Sequence, residues 1–159
     1  MVPYRLLQNF ALFQGLNEDE LKALAVLARE ETFEEEEMIF QEGTEAKHVY
    51  LLAEGRVALR FRLPMKSLSR ETTIDMVSKG EAFGWSAMVK PHRFTAAAIC
   101  AERTTCLAFE RADLEALFQE NNHIGYVVMQ NLSEVIAVRL RDLRLQLIRE
   151  IGQSLMYGW

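Results

Sequence analysis

Two short stretches carry the residue types of an anion-binding site: Gly80-Glu81-Ala82-Phe83-Gly84-Trp85-Ser86-Ala87-Met88 and, a little further on, Arg93-Phe94-Thr95-Ala96-Ala97. A Phe-Gly turn entering a Ser-Ala-Met segment starts a helical turn whose free backbone N–H groups point at one spot, and such a spot attracts a phosphate. Gly84 is the glycine with a reason to approach an anion. Gly43, Gly55 and Gly80 read instead as turn residues, where a missing side chain permits positive φ. The candidate ligand-binding residues are therefore Phe83, Gly84, Trp85, Ser86, Ala87, Arg93, Phe94, Thr95 and Ala96. Lys90, His92 and Arg93 gather in the intervening loop, either as a solvated loop tip or as a basic group that bends back to an anion.

Other chemistries find little footing. His48, His92 and His123 lie far apart with no H-x-H or facial-triad spacing, so neither a metal site nor a cofactor is expected. No Ser, Cys or Lys sits in a nucleophile motif such as G-x-S-x-G, and the chain is expected not to be an enzyme. The acidic run Glu30-Glu31 and Glu34 to Glu37 lacks the ligand spacing and central glycine of a calcium loop; it reads as a solvated strand edge that discourages edge-to-edge pairing. Cys100 and Cys106 have strand-like apolar surroundings and no C-x-x-C spacing, which suggests buried thiols in a reducing compartment.

The chain has 159 residues, half of them apolar, and a formal net charge of -5. That is enough for one ordinary core, whereas two would each be marginal, so a single domain over 1–159 is expected. The negative charge gives no general attraction to a nucleic-acid backbone or an anionic membrane. The amino terminus lacks a sustained apolar stretch and no segment approaches the roughly 20 apolar residues of a membrane span, which points to a soluble, cytoplasmic protein.

The elements that must position the cassette follow from periodicity. Leu16-Asn17-Glu18-Asp19-Glu20-Leu21 supplies an N-cap at Asn17, a capping-box Glu20 and a Leu16/Leu21 staple, predicting a helix over 18–28 that docks through Leu21, Leu24 and Ala25. Period two then takes over: Val57, Leu59 and Phe61 alternate with Ala58, Arg60 and Arg62, and Ile74 and Met76 with Asp75 and Val77. Met38 to Phe40, His48 to Ala53, Thr95 to Ala101 and Thr104 to Phe109 are further strands, separated by turns at Glu42-Gly43-Thr44, Glu54-Gly55, Leu63-Pro64 and Lys79-Gly80. Many short strands with tight turns indicate a small barrel or jelly roll. A short helix through Leu114, Leu117 and Phe118, a break at Asn121-Asn122 and a long helix from about Ile124 to Leu155 complete the chain.

That long helix has two apolar faces, Leu132, Ile136, Leu140, Leu143, Leu147 and Ile151 on one and Val135, Val138 and Leu145 on the other. One face covers the barrel; the second predicts a homodimer through the helix, with burial inside one subunit as the alternative. Arg139, Arg141, Arg144 and Arg149 fall at different angles around it and read as solvated or dimer-bridging charges rather than a DNA-facing stripe. The residues from Gly152 to Trp159 are too few for a helix-turn-helix, so no direct nucleic-acid contact is expected.

Taken together, Phe33 with Met38 to Thr44, then Val49 to Val57, then the Gly80 to Ala98 cassette resemble the cyclic-nucleotide-binding domain family over about residues 10–150. The resemblance implies a mainly β fold: N-terminal helices (1–30), an eight-stranded jelly roll (31–111) and C-terminal helices (112–159) ending in a dimerisation helix, as in catabolite-activator-type regulators. It also implies a Glu directly after Phe-Gly for the ribose 2'-OH and an Arg just before a small-Ala pair for the cyclic phosphate. Those places hold Trp85 and Phe94, and Arg93 sits one residue early, where an extended backbone turns it to the opposite face. Losing a charge-assisted hydrogen bond costs ~1.5 to 3 kcal/mol and the Glu contact ~1 more, so cAMP or cGMP affinity is expected to fall by about two to three decades.

Two functions follow as expectations. One is a regulatory or sensor domain that takes a cyclic nucleotide or other small anionic ligand and signals to a downstream protein by reorienting its C-terminal helices. The other is a ligand-free dimerisation or scaffold module whose pocket is plugged by Trp85 and Phe94, which could alternatively form an aromatic wall for a planar ligand.

Overall fold

The computed structural model describes residues 1–63 and 70–157. The turn expected at Leu63-Pro64 runs into residues outside this set, and Trp159 also lies outside it. The chain opens with helix α1 (Tyr4–Leu7), a 3₁₀ turn (Ala11–Phe13) and helix α2 (Glu18–Leu27). The capping box forms: the Asn17 side chain accepts from the Glu20 N–H at 2.9 Å, and Glu20 Oε2 accepts from the Asn17 N–H at 2.9 Å. Two otherwise orphaned donors are satisfied by one reciprocal pair, which fixes where α2 begins. Leu21, Leu24 and Ala25 carry its buried face.

Eight strands follow among the described residues: β1 (Arg29–Phe33), β2 (Met38–Phe40), β3 (His48–Glu54), β4 (Val57–Leu63), β5 (Arg70–Val77), β6 (Ala82–Phe83), β7 (Ala97–Cys100) and β8 (Thr104–Glu110). Among the described residues they make two four-stranded antiparallel sheets, ordered β1-β8-β3-β6 and β2-β7-β4-β5. This is the expected jelly roll. Val49 to Ala53 of β3 are all buried, because one face of that strand meets the barrel interior and the other meets the helices. Phe13 packs edge-on against Phe109 at 5.5 Å, tying the N-terminal turn to β8.

Several boundaries differ from the sequence expectation. Ala28 is already extended, so α2 ends at Leu27 and β1 begins inside the segment assigned to the N-terminal helices. Glu30 and Glu31 do lie on an edge strand, but Glu34 to Glu37 form the turn after it, with Glu36 at φ 70° and its N–H donating to the Cys100 carbonyl. β7 starts at Ala97 rather than Thr95, because Thr95 and Ala96 form a bend leading into the strand. Between β3 and β4, Gly55 has φ 92°, and a Cβ there would lie 2.5 Å from the Arg103 carbonyl oxygen. Only glycine fits that corner.

Helix α3 (Arg111–Glu120) and helix α4 (Asn122–Tyr157) complete the fold. Asn121 makes the break between them: its Oδ1 accepts from the His123 and Ile124 N–H groups at 3.1 and 3.2 Å. Gly125 lets α4 cross close to α3, since a Cβ there would meet Phe118 at 2.9 Å. Ile124, Val128 and Leu132 bury the first turns of α4, and the Asn131 amide donates to the carbonyls of Leu12 and Gln14 at 3.0 and 2.9 Å. Beyond Arg139 the helix leaves the body: Leu140, Leu143, Leu147 and Ile151 are exposed.

Candidate functional site

The cassette is built on β6. Its Phe83 pairs with Tyr50 of β3, and the chain then turns at Gly84 (φ 70°) into a 3₁₀ turn, Trp85–Met88. The glycine is required on two counts. Its backbone is left-handed, and an added Cβ would lie 3.1 Å from Tyr50 Cδ2, 3.2 Å from Phe40 Cε2 and 3.4 Å from Phe94 Cε1. Aromatic rings therefore surround the residue expected to approach an anion. Ala87 is buried beneath the turn and Ser86 is half-buried.

The second stretch is held from both sides. Phe94 N–H donates to the Thr44 carbonyl at 3.0 Å, Gly43 N–H donates to the Phe94 carbonyl at 2.8 Å, and Ala46 N–H donates to the His92 carbonyl at 2.7 Å. This pairing sets the alternation of an extended chain. Phe94 points inward and is 6% exposed, while Arg93 and Thr95 are exposed and Ala96 is buried. The Phe94 ring lies flat on Phe40, centroids 3.7 Å apart and planes 9° off parallel. Tyr50 stacks on Phe83 at 5.3 Å and neighbours Phe40 at 5.9 Å, giving a four-ring cluster of Phe40, Tyr50, Phe83 and Phe94. Burial pushes the Tyr50 phenol up to about 12, with Glu31 and Cys106 adding to the rise, so that hydroxyl stays neutral.

The expected cations turn elsewhere. Arg93 Nη1 donates to the Gly43 carbonyl at 2.9 Å on the outer side, and Lys90 is exposed. His92 is half-buried at φ 58°. Cys100 and Cys106 are both free and buried, as expected, and burial raises both thiols, Cys106 to about 12. Neither is poised to act as a thiolate nucleophile.

Trp85 is placed differently from Phe94. Rather than joining the ring cluster, it faces α4 beside Leu132, and the Arg139 guanidinium lies 4.8 Å from its ring centroid. The two aromatic replacements therefore do separate jobs. Arg139 overturns the reading of a solvated or dimer-bridging charge: its side chain is 16% exposed, with Nη1 2.9 Å from Asp75 Oδ2 and Nη2 3.3 Å from Glu81 Oε2. One signal in the sequence pointed to this, since Arg139 follows Leu132 and Ile136 at helical spacing on the body-facing stripe. Phe40 and Tyr50 gave no such signal, because apolar strand residues look alike whether they pack a core or line a site.

The Phe-Gly corner thus follows β6 of a jelly roll, with the long helix α4 laid beside it through Trp85 and Arg139. A model of the cyclic nucleotide-binding domain matches residues 30–121, more than half of the chain, and the chain belongs to that family. The cyclic AMP receptor protein of Thermus thermophilus is 30% identical over 136 residues, which make up 86% of this chain and 60% of that protein. A putative cyclic nucleotide-binding protein from Geobacter metallireducens superimposes with a TM-score of 0.76 at 28% identity, covering 88% of this chain and 99% of that one. A cyclic nucleotide-binding domain from Methylobacillus flagellatus shares the fold with a TM-score of 0.81 at 18% identity, covering 92% and 81%. Among the described residues no helix is long and apolar enough to cross a membrane.

Proposed function

We propose that this chain is a non-catalytic regulatory domain that works without an ordinary cyclic nucleotide and passes its signal to a protein partner through a homodimer built on α4. The observation that carries the first part is Phe94. It occupies the place the family resemblance gives to the phosphate-binding Arg, and its ring is stacked on Phe40 at 3.7 Å inside the corner. A phosphate brought to Gly84 would meet the rim carbons of Tyr50, Phe40 and Phe94, which offer it no hydrogen bond, in place of a guanidinium. Trp85 holds the place of the ribose-binding Glu and is committed to α4.

The second part is supported by the distal half of α4. Leu140, Leu143 and Leu147 recur at the alternating spacing of a helix-helix seam, and Leu140 and Leu147 are 64% and 56% exposed in the single chain. A symmetric contact covers the same face on both copies at once. Light scattering tests both parts together. The expected result is a dimer mass that neither 1 mM cAMP nor 1 mM cGMP alters, falling to a monomer when Leu143→Glu and Leu147→Glu are combined. A monomeric parent chain would sink the dimer, and a nucleotide-dependent mass would sink the closed pocket.

A further inference from the structure

We infer that Arg139 is a built-in latch, holding the middle of α4 against the cassette where no ligand bridges the two. Three separate elements meet at this one side chain. It comes from α4, reaches Asp75 of β5 at 2.9 Å and Glu81 just before β6 at 3.3 Å, and lies over Trp85 of the cassette turn. Both acidic partners are anchored. Asp75 sits in the β4–β5 ladder opposite Leu59, and the Glu81 backbone is fixed by its N–H to the Ser78 carbonyl and by the Leu52 N–H to its own carbonyl. A planar guanidinium suits this position because Nη2 donates to Glu81 and the charge faces Asp75 while the plane presents a face to an aromatic ring.

The surroundings explain why the contact controls α4 instead of merely decorating it. A groove of about 470 Å³ runs between α4 and the barrel here, and its lining includes the carboxylates of Asp75, Glu81, Glu134 and Asp142 with Arg139 as the one cation among the described lining residues. Without that cation, carboxylates from α4 and from the barrel face one another across the groove, and like charges push the helix outward. The anchors on the N-terminal side, Ile124, Val128, Leu132, the Asn131 amide and the half-buried Ile136 packed on the core, end about one turn earlier. Arg139 is therefore the last fastening before the exposed distal half. The latch goes beyond the closed-pocket reading and rests on it only where it takes the place of a bridging ligand.

The test is hydrogen exchange on the full chain, comparing α4 peptides before and after residue 133, with Trp85 quenching by acrylamide read in a Trp159→Phe background. Light scattering first confirms that the forms compared have the same mass. Arg139→Gln is expected to lose about tenfold in protection over residues 133–146 while residues 122–132 keep theirs, and to raise Trp85 quenching. Unchanged exchange and quenching would overturn the latch. Should Arg139→Gln fail to fold, the pair Asp75→Asn with Glu81→Gln leaves Arg139 in place and is expected to loosen the same segment; full protection in that variant overturns the latch equally. Nucleotide binding by the parent chain would remove the closed-pocket reading and leave this result untouched, so the two failures are distinguishable.

Discussion

Replacing Phe94 with Ala removes the ring that closes the corner, and its cost can be worked from the structure. Phe94 is 6% exposed and stacked on Phe40. Emptying a buried Phe site costs about 3 to 5 kcal/mol, combining lost transfer energy with the cavity left behind. The loss belongs in the lower half of that range, because the exposed neighbours Arg93 and Thr95 let the segment relax into part of the space. A loss of about 3 to 4 kcal/mol lowers the midpoint of thermal unfolding by about 6 to 16 °C for a domain of this size. Urea unfolding followed by circular dichroism measures the free energy, with Arg93→Ala as the exposed control, expected within about 0.5 kcal/mol of the parent. If Phe94→Ala costs less than about 1 kcal/mol, the ring is not packed as described and the corner is open to a ligand.

Two further outcomes follow from local geometry. Gly55→Ala forces a Cβ to within 2.5 Å of the Arg103 carbonyl at φ 92°, and is expected to destabilise the fold by about 2 to 4 kcal/mol in the same unfolding assay. Burial acts to raise the Glu20 carboxyl, but the Asn17 N–H and the His123 ring outweigh it and hold it below its ordinary value of 4.5. A carboxyl lowered on folding adds stability that is present above its unfolded value and lost as pH falls through the folded one, so Glu20→Gln is expected to flatten the acid limb of stability below about pH 4.5. An unchanged acid limb would mean the capping box carries no net charge stabilisation.

Much of this fold was legible because its signals are local. Asn17 and Glu20 act across a single turn, Gly55 and Gly84 are dictated by their own backbone angles, and Asn121 caps the helix that follows it. The alternation that places Phe94 inside and Arg93 outside also needs only the period of an extended chain. What the sequence concealed depends on distant partners. Arg139 meets residues 58 and 64 positions earlier, so its neighbours on the helix could not reveal its carboxylates. Trp85 and Phe94 looked like one plug, yet Phe94 stacks on Phe40 while Trp85 meets Arg139, and only the packing of α4 draws Trp85 away. β1 escaped the strand pattern because an edge strand of charged residues shows little apolar alternation.

Whether Phe94 closes the place where a cyclic phosphate would sit is decided by calorimetric titration of the parent chain with cAMP and cGMP beside the double variant Trp85→Glu with Phe94→Arg. The parent is expected to give no binding heat at about 1 mM nucleotide, and the double variant measurable binding through its guanidinium and carboxylate. Saturable binding by the parent at micromolar nucleotide would contradict that closure.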